Sequence, residues 1–198
     1  MDLLFFCLLI SIVASCHPKT AKAITNTFNK EASSSIVIDS FPIDWFGDWS
    51  GPLYIHDSLG RKDPIPMSLK ISETDSSGVY NWVIGYGKDS TLQERPYLLK
   101  SINAAAGHFL IDERNGILID AFYLNNELTS IFEVMGNTLV IGYSKKDQEM
   151  VFSVKVYTYK SIRSSGDGIY NGQEIPEVNS FYLKSVQEAV LNKKCLVE

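Results

Sequence analysis

The segment between residues 107 and 160 alternates short apolar runs with turn residues at nearly even spacing. Turn signals such as Asn125-Asn126 and Gly136-Asn137 separate runs that are rich in Ile, Val, Phe and Tyr. Asn and Gly tolerate the positive φ angles that tight hairpin turns require. The pattern therefore predicts a meander of antiparallel strands. The four predicted strands are Ile117–Leu124, Glu127–Met135, Thr138–Ser144 and Glu149–Lys160.

Further strands are predicted upstream of the meander. Ile65, Met67, Leu69 and Ile71 alternate with Pro, Ser and Lys, which is the period-two pattern of a half-buried strand. Pro96, inside another apolar run, implies an edge position or a bulge, because proline has no N–H to donate to a neighbouring strand. The remaining upstream strands are predicted at Trp49–Ile55, Val79–Gly87, Leu92–Ser101 and His108–Glu113.

Together these segments give nine or ten antiparallel strands in chain order, with almost no helical period before residue 185. An open sheet of this length would leave exposed edges that invite pairing with other chains. We therefore predict an all-β fold, an up-and-down meander closed into a barrel of eight to ten strands. Ser164–Gly168 is interpreted as a mobile loop, and Ser180–Lys194 as a closing strand with room for a short helix from Val186. The predicted inward positions include Leu69, Trp82, Ile84, Phe132, Ile141 and Phe152.

The N-terminal segment has the features of an export signal. Leu3–Val13 is an apolar run long enough for a signal-peptide core and too short to span a bilayer of about 30 Å. It ends at Val13-Ala14-Ser15-Cys16, which resembles the lipobox of bacterial lipoproteins, although Met1-Asp2 lacks the usual Lys or Arg. The resemblance implies cleavage before Cys16, lipid attachment to its thiol and a membrane-anchored protein of the cell envelope. His17 is not acidic, so the same resemblance favours the outer membrane over the inner one.

These signals divide the chain into three parts. Residues 1–15 are predicted to be the signal peptide, and residues 16–40 a lipidated N-terminus and tether that is rich in Ser, Thr, Asn and Lys. Residues 41–198 are predicted to form the barrel domain. Removal of the leader and modification of Cys16 would leave Cys195 without a partner in the same chain, so no disulfide framework is expected.

The composition limits the classes of partner. A formal net charge of −5 with no basic block gives no reason to expect nucleic-acid binding. Hydrophobic residues at 45% and charged residues at 21% are ordinary for a globular domain, and aromatic residues at 12% favour strands.

Gly47-Asp48-Trp49, placed ahead of a β-meander, resembles the calycins, the group of lipocalins and fatty-acid-binding proteins. The resemblance implies a barrel whose floor is crossed by the Trp49 indole. It also implies a cation from the last strand packed on that ring, for which Lys160, Arg163 and Lys184 are the candidates. Haem-binding barrels of related form use a histidine late in the chain. This chain has no histidine after His108, so no haem or other cofactor is expected.

One strand face and its predicted neighbours are rich in aromatic residues, and two interpretations stay open. The face either forms the packed core of the barrel or lines a cavity in which Tyr hydroxyls and the Trp N–H orient an apolar ligand. Arg95 and Tyr97 share a face and could anchor a carboxylate. The candidate ligand-binding residues are Tyr80, Trp82, Tyr86, Arg95, Tyr97, Phe132, Tyr143 and Phe152.

No motif for catalysis or metal binding is found. There is no Gly-x-Ser-x-Gly turn, no acidic residue or cysteine with metal-ligand spacing to His108, and Asp112-Glu113 point to opposite faces of a strand. We therefore predict a non-enzymatic envelope lipoprotein whose barrel binds a small apolar molecule. The alternatives are a packed barrel that binds another envelope protein, and a barrel enzyme if Arg95, Tyr97 and Asp120 converge in one cavity.

Overall fold

The computed structural model describes residues 40–194. The predicted signal peptide, the lipidation site at Cys16, nearly all of the tether and Cys195 lie outside these residues. Within residues 40–194 there are three single-turn 3₁₀ segments and no α-helix, and none of the helical segments there is long and apolar enough to cross a membrane.

Fifteen strands make up most of residues 40–194. The first eight are β1 (Gly47–Asp57), β2 (Gly60–Arg61), β3 (Ile65–Glu73), β4 (Val79–Tyr86), β5 (Gln93–Asn103), β6 (His108–Asp112), β7 (Leu118–Leu124) and β8 (Glu127–Val134). The others are β9 (Asn137–Lys146), β10 (Glu149–Thr158), β11 (Arg163–Ser165), β12 (Gly168–Tyr170), β13 (Gln173–Ile175), β14 (Val178–Ser180) and β15 (Leu183–Lys193).

Ten of these strands close into one antiparallel barrel. Strands β1, β3 to β10 and β15 each pair with their neighbours in chain order, and β15 also pairs with β1. The predicted up-and-down barrel of eight to ten strands is therefore confirmed, and the architecture is consistent with a calycin-like barrel. Pairing of the last barrel strand with the first removes the two outer edges of an open sheet, which agrees with the reason for predicting closure.

The predicted turn residues take the backbone angles that tight hairpins need. Asn125 and Asn126 have φ angles of 50° and 62° and connect β7 to β8. The next turn lies one residue earlier than predicted, at Met135 and Gly136, with φ angles of 46° and 74°. Asn137 is instead the first residue of β9.

The prediction of a helix from Val186 is wrong. Residues 183–193 form a single strand, β15, that pairs with β10 on one side and β1 on the other. Ser185, Ala189 and Leu191 are buried and lie an even number of residues apart, as expected for a strand with one inward face. The spacing of Val186 and Val190 fits a helix, but pairing on both sides of the strand overrides this weak local preference.

The Gly/Ser segment at residues 164–168 is also more ordered than predicted. It belongs to an excursion between β10 and β15 in which β11 pairs with β14 and β12 pairs with β13. We call this excursion, residues 160–182, the hairpin arm. All its residues are exposed, including the apolar residues Ile169, Tyr170 and Val178.

One end of the barrel, which carries the turn at Asn125-Asn126, is filled by aromatic side chains; we call it the closed end. Phe41 stacks on Tyr123 with ring centroids 4.0 Å apart and meets Phe109 edge-on at 4.9 Å. Trp45 is buried beside them and lies 4.8 Å from Phe41. Phe41 and Trp45 belong to the segment just before β1, so that segment closes this end of the barrel.

Trp49, the Trp of the calycin-like Gly-x-Trp, lies at this closed end. Its side chain is fully buried, and its Nε1 donates a hydrogen bond to the Trp45 carbonyl oxygen at 2.9 Å. The cation over its ring is Lys193 of the last strand, with Nζ 5.3 Å from the ring centroid. The three candidates named from the sequence were therefore wrong: Lys160 and Arg163 lie in the hairpin arm, and Lys184 lies near the opposite end of the barrel.

Candidate ligand-binding cavity

The other half of the barrel interior, which we call the open end, holds a cavity of about 670 Å³. This end carries the turn at Met135-Gly136. The volume falls within the range of roughly 300–1,000 Å³ that is typical of small-molecule sites. Most of the wall is apolar. Its lining residues are Leu53, Trp82, Ile84, Tyr86, Arg95, Tyr97, Ile111, Glu113, Ile119, Ser130, Phe132, Val134, Met135, Asn137, Leu139, Ile141, Tyr143, Phe152, Val154, Val156, Lys184 and Gln187.

The structure brings together seven of the eight candidate residues chosen from the sequence. The seven that line the cavity are Trp82, Tyr86, Arg95, Tyr97, Phe132, Tyr143 and Phe152. Tyr80 is the exception, because it is not part of the cavity wall and its ring lies 5.9 Å from that of Phe46 near the closed end. The six inward positions named from the sequence are also found facing the interior. Of these, Phe132 and Ile141 are only half-buried, because the cavity exposes them.

Strand register gives the order of the residues along the cavity. Trp82 on β4 pairs with Tyr97 on β5, and Ile84 pairs with Arg95. Arg95 therefore lies one inward position nearer the open end than Trp82 and Tyr97. Lys184 and Asn137, at the starts of β15 and β9, belong to the open end, where Lys184 Nζ donates a hydrogen bond to Asn137 Oδ1.

The wall contains a few charged groups in an otherwise apolar surface. Arg95, Glu113 and Lys184 are the ionisable lining residues apart from the tyrosines. Glu113 is buried, and its Oε2 accepts a hydrogen bond from Asn115 Nδ2 at 3.2 Å. Arg95, Tyr97 and Glu113 each make contacts within the protein. A bound anion would therefore add to contacts that Arg95 already makes and would not meet an isolated cation.

Tyr143 and Trp82 form the inner part of the wall. Their ring centroids are 5.1 Å apart and nearly perpendicular, at 88°. Burial raises the pKa of the Tyr143 hydroxyl well above its ordinary value, and Tyr86 and Tyr97 raise it further. The Trp82 N–H, which faces this hydroxyl, acts in the opposite direction and lowers the pKa. Tyr143 is consequently neutral at physiological pH.

The barrel wall beside the cavity is incompletely paired between β7 and β8. Within the described chain these strands pair only near the closed end, at Phe122↔Thr129, Tyr123↔Leu128 and Leu124↔Glu127. Towards the open end the two strands separate. Ile119, Ser130 and Phe132 line the cavity from the separated parts. Over this stretch the barrel wall therefore lacks backbone hydrogen bonds between β7 and β8.

A similar interruption of strand pairing explains why β5 accommodates Pro96. Strand β5 pairs with β4 from Gln93 onwards, but with β6 only from Leu98. Pro96 thus lies on a stretch with a neighbour on one side only, as its missing N–H suggested, although the sheet as a whole is closed. The bulge in β5 is elsewhere, between Ser101 and Asn103.

Most of the aliphatic and polar lining residues were not among the predicted ligand-binding residues, although the sequence contains a signal for them. Val154 and Val156 follow Phe152 at two-residue spacing on β10, and Leu139 precedes the predicted inward position Ile141 in the same way on β9. Extending the period-two face from each aromatic residue would have found them. Gln187 was hidden by the helix predicted from Val186, and Lys184 was considered only as a candidate cation for the Trp49 ring.

The enzyme alternative required Arg95, Tyr97 and Asp120 to converge in one cavity, and only two of the three do so. Arg95 and Tyr97 line the cavity, but Asp120 lies outside it, where its Oδ1 is 2.7 Å from His108 Nε2. Residues 40–194 contain no cluster of three or more His, Cys, Asp or Glu side chains arranged to hold a metal ion.

Comparison with models of protein families finds no match. Comparison with curated protein sequences finds none either. Among solved structures, the chain is similar to a candidate AttH protein from Nitrosomonas europaea, with 9% sequence identity and a TM-score of 0.27. The similarity covers 79% of this chain and 56% of that protein, so the chain spans little more than half the length of its structural match.

Proposed function

We propose that this protein binds a small, mainly apolar molecule inside its barrel. The observation that supports the proposal is the cavity of about 670 Å³ with a largely apolar wall. A barrel whose only purpose was stability would gain by filling this space, because empty volume in a core forfeits packing contacts. The closed end shows that this chain can fill a barrel completely with aromatic side chains.

The polar groups suggest how the ligand is oriented. Arg95 and Tyr97 lie on one face of β5, and Lys184 lies at the open end, so a ligand's carboxylate or other anionic group has cationic partners there. The apolar part of the ligand would lie against residues such as Ile84, Ile141 and Val154. A medium-chain fatty acid has this combination and is a suitable probe.

We further propose that the barrel is held at a bacterial cell-envelope membrane, with the outer membrane favoured, through a lipid on Cys16. The support is the apolar run Leu3–Val13 followed by the lipobox-like Val13–Cys16. The described chain begins at Ser40 beside the closed end. A tether at that position would leave the open end accessible. Mass spectrometry of the protein from its own host should show a diacylglyceryl group on Cys16, and an intact Met1 or a free Cys16 thiol would rule the anchor out.

Ligand binding is tested with a blocking substitution and a matched control. Val154 lines the cavity, whereas Val151, on the same strand, faces outwards and is 44% exposed. Val154→Trp should fill part of the cavity, and Val151→Trp should leave it unchanged. The anionic fluorophore 1-anilinonaphthalene-8-sulfonate reports binding, and dodecanoate is used to displace it.

The proposal predicts saturable binding and displacement in the wild type and in Val151→Trp, and at least a tenfold weaker affinity in Val154→Trp. Equal dodecanoate affinity in all three proteins would place binding outside the cavity. No displaceable binding in any of them would contradict the proposed function for this class of ligand. Circular dichroism spectra of each protein would verify that the barrel is folded.

The second candidate function is binding of another envelope protein, and the hairpin arm favours it. The arm exposes apolar side chains that include Ile169, Tyr170 and Val178, and a two-stranded hairpin has little core of its own. This alternative predicts that protein purified from its host carries no small molecule. It also predicts that Ile169→Ser with Tyr170→Ser abolishes the cellular role, while Val154→Trp does not.

A non-catalytic role is part of our proposal. An enzyme built on this cavity would need a nucleophile or acid–base pair among the lining residues, and Glu113 is the sole carboxylate in that set. Recovery of a chemically altered probe after prolonged incubation with the protein would overturn this part of the proposal.

A further inference from the structure

The charges of the hairpin arm are separated along its length. The base of the arm, residues 160–163 and 180–182, carries two cations and no acidic residue, whereas residues 164–179 carry three acidic residues and no cation. Within residues 40–194 none of these five side chains forms an ion pair. The arm therefore has a positive base and a negative outer part, which the rest of the described chain leaves uncompensated. The five residues are Lys160, Arg163, Asp167, Glu174 and Glu177.

Exposed apolar side chains lie beside charges of both signs. On β12 and β13, Ile169 is directly opposite Glu174, so their side chains share one face of the hairpin. On β11 and β14, the pairs Arg163↔Ser180 and Ser165↔Val178 make Arg163 and Val178 diagonal neighbours on one face. We call Ile169 with Glu174 the outer patch, and Arg163 with Val178 the inner patch. Each patch joins an exposed apolar side chain to a charge, and the two charges have opposite signs.

The arm lacks a core of its own to cover these side chains. An isolated two-stranded hairpin is at best marginally stable in water, so its apolar residues gain by packing against another surface. The outer patch borders a shallow hollow of about 580 Å³, whose wall also contains Asp167, Ile175 and Glu177. Carboxylates and isoleucines in one hollow suit a cationic side chain that has an apolar neighbour. The inner patch offers this combination.

We infer that the hairpin arm is a self-association surface, on which two copies of the chain lay their arms antiparallel about a two-fold axis. The inner patch of each copy then lies on the outer patch of the other. A two-fold contact is reciprocal, so Arg163 of each copy meets Glu174 of the other and two such contacts form at once. Val178 and Ile169 pack beside them and leave water together.

The charges select both the partner and its direction. Two arms that met tip to tip would bring three acidic side chains against three, and such a juxtaposition of like charges is unfavourable. A basic protein of another kind would suit the outer patch but would repel Arg163 and Lys160 at the base. A second copy of the arm, reversed in direction, complements both parts. The inference is independent of the ligand in the barrel, and it assigns the arm to a second copy in place of another envelope protein.

The experiment exchanges the two charges. Size-exclusion chromatography with light scattering, at a series of concentrations, gives the protein mass of the full chain purified in a mild detergent. The variants are Arg163→Glu and Glu174→Arg, measured separately and as an equimolar mixture. Lys155→Glu is the control, because it makes the same change of charge at an exposed position on β10, outside the arm.

The inference predicts a dimer for the wild type and for Lys155→Glu. Each arm variant alone places like charges at both contacts, so its dimer dissociation constant should rise at least tenfold. In the mixture, a dimer of one Arg163→Glu chain with one Glu174→Arg chain has opposite charges at both contacts. Mixing should therefore restore dimers with the wild-type dissociation constant. A variant that had merely lost its fold would not be rescued in this way.

Three results would overturn the inference. Wild-type protein that remains monomeric at every concentration would exclude self-association, and a different protein bound to that monomer would support the second candidate function instead. Dimers that persist unchanged in both arm variants, or that are lost in Lys155→Glu, would place the contact on another surface. Arm variants that stay monomeric when mixed would show that Arg163 and Glu174 do not meet.

Discussion

Gly47 and Lys193 are matched to each other at the closed end of the barrel. A Cβ atom at Gly47 would lie 2.6 Å from Lys193 Cε, and Gly47 has a φ angle of +134° that other residues rarely adopt. The absence of a side chain at Gly47 gives the Lys193 stem room to lie beside the Trp49 ring, with Nζ 5.3 Å from its centroid. The Gly-x-Trp pattern therefore encodes both the ring and the space for its cation.

The first prediction concerns this cation. Lys193→Met keeps an unbranched chain of similar length but removes the charge, so it should lower the free energy of unfolding by about 0.5–1 kcal/mol. The measurement is urea denaturation, with Lys194→Met as the neighbouring control on an exposed side chain. Equal effects of the two substitutions would mean that the cation over Trp49 contributes nothing specific.

The second prediction concerns Trp82 as part of the barrel core. Trp82→Ala should lower the free energy of unfolding by about 3–5 kcal/mol, because it removes a large buried ring from contact with Tyr143 and Trp45. Leu59→Ala, at a position that is 91% exposed, should change it by less than about 0.5 kcal/mol. A loss below about 1 kcal/mol for Trp82→Ala would contradict the packing described above.

The third prediction follows from the raised pKa of Tyr143. Up to about pH 10 the hydroxyl is protonated in both the folded and the unfolded chain, so its contribution to stability is fully present. Above about pH 10 the unfolded chain releases this proton and the folded barrel does not, so the free energy of unfolding falls by up to about 1.4 kcal/mol per pH unit. The loss continues until the pH reaches the raised pKa.

Tyr143→Phe should flatten this decline relative to the wild type, whereas Tyr159→Phe, at a position that is 50% exposed, should not. Denaturant titrations between about pH 8 and pH 11 would measure the slopes. Parallel slopes for all three proteins would mean that the Tyr143 hydroxyl is accessible to solvent in the native state.

The fourth prediction concerns the separated strands β7 and β8. The β8 amides that face β7 beyond Thr129 have no partner strand there and should exchange with deuterium quickly. The β8 amides that face β9 should be protected, because that ladder runs from Glu127 to Val134. Hydrogen exchange followed by NMR would resolve the two sets, and uniform protection along β8 would show that the wall is closed.

The sequence was informative wherever one strand face was decided by its own residues. Strand number, closure, the hairpin turn at Asn125-Asn126 and the inward position of Trp82 all follow from period-two alternation and turn chemistry. The sequence was less informative where pairing with neighbouring strands decides the structure of a segment. Val186 and Val190 fit a helix locally, and they lie in a strand because β10 and β1 both pair with that segment.

The cavity itself could not be predicted from the sequence. Phe132, Tyr143 and Phe152 suit either a filled core or a lined cavity, because both need apolar inward residues. The choice depends on the distance between strands on opposite sides of the barrel, which ten strands set jointly. The cation at Trp49 escaped prediction for a similar reason: Lys193 is identified by register across the β1–β15 closure, in which Trp49 pairs with Lys193 itself.

The central claim is that the barrel encloses a small molecule in the cell. Native mass spectrometry of the wild type, Val151→Trp and Val154→Trp, each purified from the protein's own host, tests it most directly. The account predicts an added non-covalent mass on the wild type and on Val151→Trp that is lost on denaturation, and its absence from Val154→Trp. Wild-type protein with no added mass, or the same added mass on Val154→Trp, would contradict it.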